Sequence, residues 1–316
     1  MERKFKVSLS PHVRAEQSTS TIMTDVVIAL LPACIMAVYF YGFSVALVLA
    51  VGVVSAVAAE YAWNFFTKKP QTISDMSAAV TGLLVAMNAT SKTPWWVVML
   101  GSFFAIIVCK QFFGGLGQNF INPAMAARAF MLASWPTRMT AFTVPFTDTL
   151  TSATPLMTIY GKTAGELPTL MQMFVGNMAG CIGEVSKVAL LIGFVYLLFR
   201  KVISWRIPVI FIGTVFVLSA AFAGSGFDVT TGLYAILSGG LIMGAVFMAT
   251  DYVTSPLTTW GQNLYALLCG VIVFLIRKFG ALPEGVTYAI LLMNIASPLI
   301  DKYIKPKKYG EVAKAK

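Results

Sequence analysis

Long apolar runs separated by short polar or turn-forming breaks recur along almost the whole 316-residue chain. They predict membrane spans near 22–42, 43–66, 72–90, 94–113, 120–134, 185–200, 207–223, 230–248, 262–277 and 285–300, most of them close to the ~20 apolar residues a helix needs to cross hydrocarbon. The expected fold class is therefore an all-α polytopic membrane protein with about ten transmembrane helices. Five segments follow: an amino-terminal stretch 1–21, a first transmembrane half 22–134, a hydroxyl-rich loop 135–184, a second half 185–300, and a basic tail 301–316.

Two stretches at corresponding places in the halves resemble each other. TGLLVAMNATSKTP, residues 81–94, compares with SGGLIMGAVFMATDYVTSP, residues 238–256. Ten alternating crossings give them opposite orientations, which is the mark of inverted five-helix repeats. Small apolar residues also match through composition alone in membrane proteins, so both explanations stand at this level.

Composition agrees with lipid as the solvent. Hydrophobic residues make up 58% of the chain and charged residues 11%, too few charges to cover a soluble globule of this length. The opening MERKFKVSLSPHVRAEQ is polar and basic without an apolar centre, unlike a cleaved signal peptide, so targeting is expected through the first span. Starting that span from the cytoplasm puts Lys92, Arg138, Lys162, Arg277 and Lys278 outside and Arg128 and Lys187 within or at the edge of spans; the rest of the 23 Lys and Arg fall inside. The positive-inside rule favours this topology, with both termini cytoplasmic. Trp63, Trp95, Trp96, Trp135, Trp205 and Trp260 all fall at predicted span ends, where the headgroup layer suits an amphipathic ring. The net charge of +10 is dispersed over many short loops, which fits topology and contact with anionic lipid rather than nucleic acid.

The four cysteines, Cys34, Cys109, Cys181 and Cys269, stand apart in apolar stretches, and His12 is the sole histidine. Neither a cysteine-held iron–sulfur cluster nor histidine-based catalysis is expected. Redox chemistry here has to come from a cofactor. Charges in or near the spans are few: Glu60, Asp75, Lys110, Arg128, Glu184, Lys187 and Asp251. Each is costly at the bilayer centre, by about 2.5–3.5 kcal/mol on insertion scales, and so is a functional candidate. Arg128 lies deep enough to need a partner. Asp251 and Glu184 are candidates for an ion path, although either could cap a helix, and Glu184 with Lys187 has i,i+3 ion-pair spacing.

The loop 135–184 carries TDTLTSATPLMTIYGKT. Serine and threonine turns in a solvated loop would account for the composition. The order of Asp148, Ser152, Ala153, Thr154 and Pro155, however, resembles the flavin attachment site of the family that contains the Rnf D subunit and the B subunit of the Na+-translocating NADH:quinone reductase. Family members often carry Gly where Ser152 stands. Four further segments resemble the family in order: SPHVRAEQSTSTIMTDVVIALLPA at 10–33, GGLGQNFINPAMAARAF at 114–130, GNMAGCIGEVS at 176–186 and FMATDYVTSPLT at 247–258; NIASPLID at 294–301 agrees as well. The glycines at 114–117 form neither a GxGxxG nor a Walker sequence, so they fit a broken helix better than a nucleotide loop.

The resemblance implies a urea-transporter-like fold and an electron-transfer subunit in the cell membrane. It implies an Rnf-type complex that couples ferredoxin:NAD+ oxidoreduction to Na+ or H+ translocation. FMN would be joined through its phosphate to Thr154, flanked by Asp148, Ser152 and Pro155. A non-covalent riboflavin would sit near Asn119, Asn122 and Arg128, although the asparagines could equally cap a helix. Implied partners are an outer-side flavoprotein subunit, iron–sulfur membrane subunits, an NAD-binding subunit and a flavin transferase. The quinone reductase B subunit usually has a longer amino-terminal extension, and a flavin-free channel of the same fold is the rival of a different class.

Overall fold

The computed structural model describes residues 17–146, 150–151, 154–161, 167–223, 226–280 and 284–305. Helices occupy all ten predicted segments: α1 Thr19–Tyr41, α2 Phe43–Phe66, α3 Ser77–Met87, α4 Trp95–Gln111, α5 Pro123–Ser134, α9 Lys187–Phe199, α10 Arg206–Ala221, a bent pair α11 Val229–Leu237 and α12 Leu241–Met248, α13 Thr259–Phe279, and α14 Val286–Tyr303. Between α5 and α9 lie the short helices α6 Pro136–Met139, α7 Pro155–Ile159 and α8 Leu170–Val175. There too, strand β1 Phe142–Thr143 pairs antiparallel with β2 Leu150–Thr151.

Length separates these helices in a way the apolar runs do not. Among the described residues, only α1, α2 and α13 are long and apolar enough to cross a membrane, and α11 with α12 makes a fourth if counted as one span bent by 69°. The chain is a helical membrane protein whose other apolar segments are shorter than a bilayer is thick. The exposed residues fit lipid: Ile28, Leu31, Ile35 and Tyr39 make one outward stripe on α1, and Phe43, Leu47, Val54, Tyr61 and Phe65 another on α2.

Small residues set the helix crossings. At Gly52 of α2 an added methyl would come within 2.6 Å of the Gly82 carbonyl oxygen of α3, and one at Gly82 would strike the Gly52 carbonyl. Gly193 of α9 meets the Ala29 backbone of α1 in the same way. Without a hydrophobic drive between helices in lipid, such backbone approach supplies the packing contacts.

Broken helices need partners for their freed backbone groups, because hydrocarbon supplies none. The 238–240 break, where Gly239 has φ +67°, is served by Arg277, whose guanidinium donates to the Ala235 carbonyl at 2.7 Å and to Ser238 at 3.3 Å. Arg277 is thus fully buried, not the outward-facing charge its place at a span end suggested. At the start of α3, Asp75 accepts from the Ser77 amide and hydroxyl at 2.8 and 2.6 Å. Lys110 then bonds the Ser77 hydroxyl at 2.6 Å and both oxygens of Glu60 at 3.0 Å. Both ionic groups are buried. The π-helical end of α4, Phe104–Gln111, carries Lys110, as π turns often carry side chains with special tasks.

The close crossing is testable. Gly82→Ala should destabilise the protein by about 1–3 kcal/mol, the usual range for overpacking. This is read as a lower thermal midpoint and a smaller monodisperse fraction in detergent. Gly213→Ala, where an added methyl meets nothing within 4 Å, should leave both unchanged.

Candidate functional site

Two cavities flank α5. The first, about 110 Å³, lies at the amino-terminal end of that helix and is lined by Asn119, Asn122, Lys110, Ser77, Thr250 and Asp251 among others. Asn122 is the helix cap: its side-chain oxygen accepts from the Ala124 and Met125 amides at 3.0 and 3.2 Å, and its nitrogen donates to the Met248 carbonyl at 3.0 Å. Pro123 follows at the first helical position, where its missing N–H costs nothing. Asn119 donates to the Ile121 carbonyl at 3.1 Å. The capping reading of Asn122 therefore holds, while both asparagines still face one cavity. Asp251 closes a turn, accepting from the Thr254 hydroxyl at 3.0 Å and from the Val253 amide at 3.4 Å, and lines the same space.

The second cavity, about 70 Å³, is walled by Arg128 and Leu132 of α5, by Asn88, Thr154, Pro155 and Thr287, and by Glu184 and Glu284. Arg128 thus sits apart from Asn119 and Asn122 and joins Thr154 instead. Asn122 and Arg128 are separated by about 9 Å along the axis at 1.5 Å per residue. One short helix therefore supplies walls to both cavities.

Arg128 is almost completely enclosed. It donates to the Asn88 side-chain oxygen at 2.6 Å, pairs with Glu284, and lies 3.6 Å from Glu184. Its guanidinium also reaches the Cys181 sulfur at 3.6 Å. The other Glu284 oxygen accepts from the Gly240 amide at 2.6 Å, on the far side of the 238–240 break. Lys187, wholly buried, donates to the main-chain carbonyl of Glu184 and reaches the Gly239 carbonyl at 3.4 Å. The contact between Glu184 and Lys187 is therefore to backbone, and the Glu184 carboxylate is turned toward Arg128. Five charged side chains, Arg128, Lys187, Arg277, Glu184 and Glu284, thus converge on one helix break.

Thr154 begins α7, with Pro155 at the first helical position. Its hydroxyl oxygen is buried in the second cavity and, among the described residues, has no hydrogen-bond partner. A buried hydroxyl left unpaired costs roughly 1–3 kcal/mol, so a partner for this atom has to come from outside the described residues. Asp148 and Ser152 lie outside the described residues. Among the described residues no group of three or more His, Cys, Asp or Glu could hold a metal ion, and the four cysteines are separate, buried thiols.

Sequence reasoning missed Glu284 and Asn88, and it took Arg277 for a surface charge. A signal for Glu284 existed: it is the acidic residue in the short GALPEG link between two apolar runs, and a deep cation such as Arg128 needs a carboxylate from elsewhere in the chain. Asn88 offered no such signal.

Comparison with known proteins matches residues 6–310 to the model of the NQR2, RnfD, RnfE family. The chain is 48% identical to the D subunit of the Na(+)-translocating ferredoxin:NAD(+) oxidoreductase complex of Acetobacterium woodii, over 98% of this chain and 96% of that protein. It is 43% identical to the D subunit of the proton-translocating ferredoxin:NAD(+) oxidoreductase complex of Clostridium ljungdahlii, over 97% and 96%. The D subunit of an ion-translocating oxidoreductase complex from Aliivibrio salmonicida is 35% identical over 97% and 98%.

The wall of the first cavity generates a double-substitution test. Lys110→Met leaves Glu60 buried without its cation and should cost about 3–5 kcal/mol. Adding Glu60→Gln should recover a measurable part of the lost thermal midpoint. Purely additive losses would show that the two side chains do not act as a pair.

Proposed function

The chain belongs to the NQR2, RnfD, RnfE family, and on that footing we propose that it is the D subunit of an Rnf-type complex, a membrane electron-transfer subunit that works only with its partners. The complex couples ferredoxin:NAD+ oxidoreduction to Na+ or H+ translocation. Thr154 carries FMN through a phosphodiester, and the cavity lined by Asn119 and Asn122 takes a riboflavin. A flavin transferase attaches the FMN. It supplies an activated flavin phosphate: as the Thr154 Oγ–phosphorus bond forms, the bond to the leaving phosphate breaks and the hydroxyl proton is released. An outer-side flavoprotein subunit, iron–sulfur membrane subunits and an NAD-binding subunit complete the assembly.

The observation that carries this reading is the Thr154 hydroxyl, buried and without a partner among the described residues, in a cavity beside a buried arginine. The flavins supply the redox chemistry when bound, and the chain's own residues decide where each can sit and what charge surrounds it. Thr154 is an anchor, not a nucleophile used at each turnover. Asn122 fixes the start of α5 and so the spacing of the two cavities. Asp251 and Glu184, which line the first and second cavities, are the proposed ion-path residues.

Inverted repeats find support in the packing: α10 lies against α11 and α13 as α2 lies against α3 and α4, and α1 packs on α9. The proposed orientation puts Thr154 outside and Asn119 inside, in the cell membrane, with both termini cytoplasmic.

Two measurements decide between readings. Protein made together with a flavin transferase should show flavin fluorescence co-migrating with the band on a denaturing gel, and Thr154→Ala should remove it. A wild-type band without flavin would leave the channel reading, and fluorescence surviving in the variant would move the anchor. For orientation, the four native thiols are buried, so cysteines introduced at exposed positions report alone. Thr137→Cys should react with an impermeant maleimide in cells whose outer layers admit the reagent, and Lys69→Cys only after the membrane is opened. The reverse pattern inverts the topology.

A further inference from the structure

The five charged side chains at the 238–240 break do not balance. Arg128, Lys187 and Arg277 are cations and Glu184 and Glu284 carboxylates, so at their usual ionisation the described cluster holds one positive charge more than negative. All of them are buried or nearly so, and an uncompensated charge in such surroundings is expensive. The cavity that Arg128, Glu184 and Glu284 line also holds the Thr154 hydroxyl, and among the described residues neither that hydroxyl nor one Glu184 oxygen has a hydrogen-bond partner.

Glu284 is placed differently from Glu184. It stands just before α14 and reaches into the core to engage Arg128 with one oxygen and the Gly240 amide with the other. A guanidinium and a backbone amide holding the two oxygens of one anion is the donor set that a phosphate also uses. A phosphodiester carries a single negative charge, the same charge that the Glu284 carboxylate brings to Arg128.

We infer that Arg128 and the Gly240 amide form an anion site that Glu284 fills from within the chain, and that a phosphate attached at Thr154 takes over Arg128 from Glu284. This rests on the reading of Thr154 as the flavin anchor and extends it: the ester's phosphate has a seat, and Glu284 is a tethered stand-in that keeps Arg128 paired until the ester is made. Glu284 is a positioning residue. It touches the arginine, not the reacting atoms.

The test uses the full-length chain, made with and without the transferase, with flavin content read from intact mass and stability from the thermal midpoint. Without the ester, Glu284→Gln should lower the midpoint, because the isosteric amide leaves Arg128 only the more distant Glu184 carboxylate, at 3.6 Å. With the ester, the same substitution should lower it by less than half as much. An equal loss in both forms overturns the proposal, since Glu284 would then hold Arg128 whether or not the phosphate is there. A second arm omits flavin altogether. Millimolar inorganic phosphate, against chloride at matched ionic strength, should raise the midpoint of Thr154→Ala/Glu284→Gln and do nothing once Arg128→Gln is added. No rise, or a rise that survives the loss of Arg128, overturns the site. If wild type gains no flavin mass, the anchor reading fails, while the phosphate arm still decides the anion site.

Discussion

A guanidinium enclosed in protein is costly unless its partners are in place, and Arg128 imposes that condition on this molecule. Its partners come from far apart in sequence: Asn88 at the end of α3, Glu184 in the turn before α9, and Glu284 just before α14. Two belong to the second half of the chain or its threshold, and one to the first. The ion cluster therefore joins α5 to the end of α3 and to the segments before α9 and α14. The carboxylate of Glu284 extends the connection to Gly240, so the bend between α11 and α12 is held by the same group that holds the arginine.

The bend and the cavity depend on each other. Opening a helix inside a membrane frees carbonyls and amides, and here those are taken up by Arg277, Lys187 and Glu284. One of the charges that heal the break, Glu284, also lines the second cavity. At the opposite end of α5, Lys110, Glu60 and Ser77 perform a related service at the start of α3. Polar walls near the two interrupted helices are thus a consequence of the interruptions.

Apolar runs were enough to locate every helix of the two halves, because a lipid-facing stripe and a buried stripe together leave few polar positions. They overstated helix length. The predicted span 72–90 starts at Thr72, but the residues from Thr72 to Met76 form a polar turn, and the helix itself is only Ser77–Met87. Thr154 was legible from its neighbours' order, yet the isolation of its hydroxyl was not, since that depends on which side chains fail to reach it. Arg277 and Glu284 were hidden for another reason. Their partners are backbone groups and a distant arginine, and both stand at span ends, where a charge ordinarily faces water.

The shortness of α5 has a mechanical consequence. From Asn122 to Ser134 the helix is too brief to cross a bilayer, and it is pinned at its start by a side-chain cap and in its middle by an ion cluster. Adding or deleting one residue between those two pins would rotate Arg128 by about 100° and shift it by about 1.5 Å, turning it out of its pocket while the cap stayed in place. The stretch from Pro123 to Ala127 thus behaves as a fixed gauge whose number of residues cannot change.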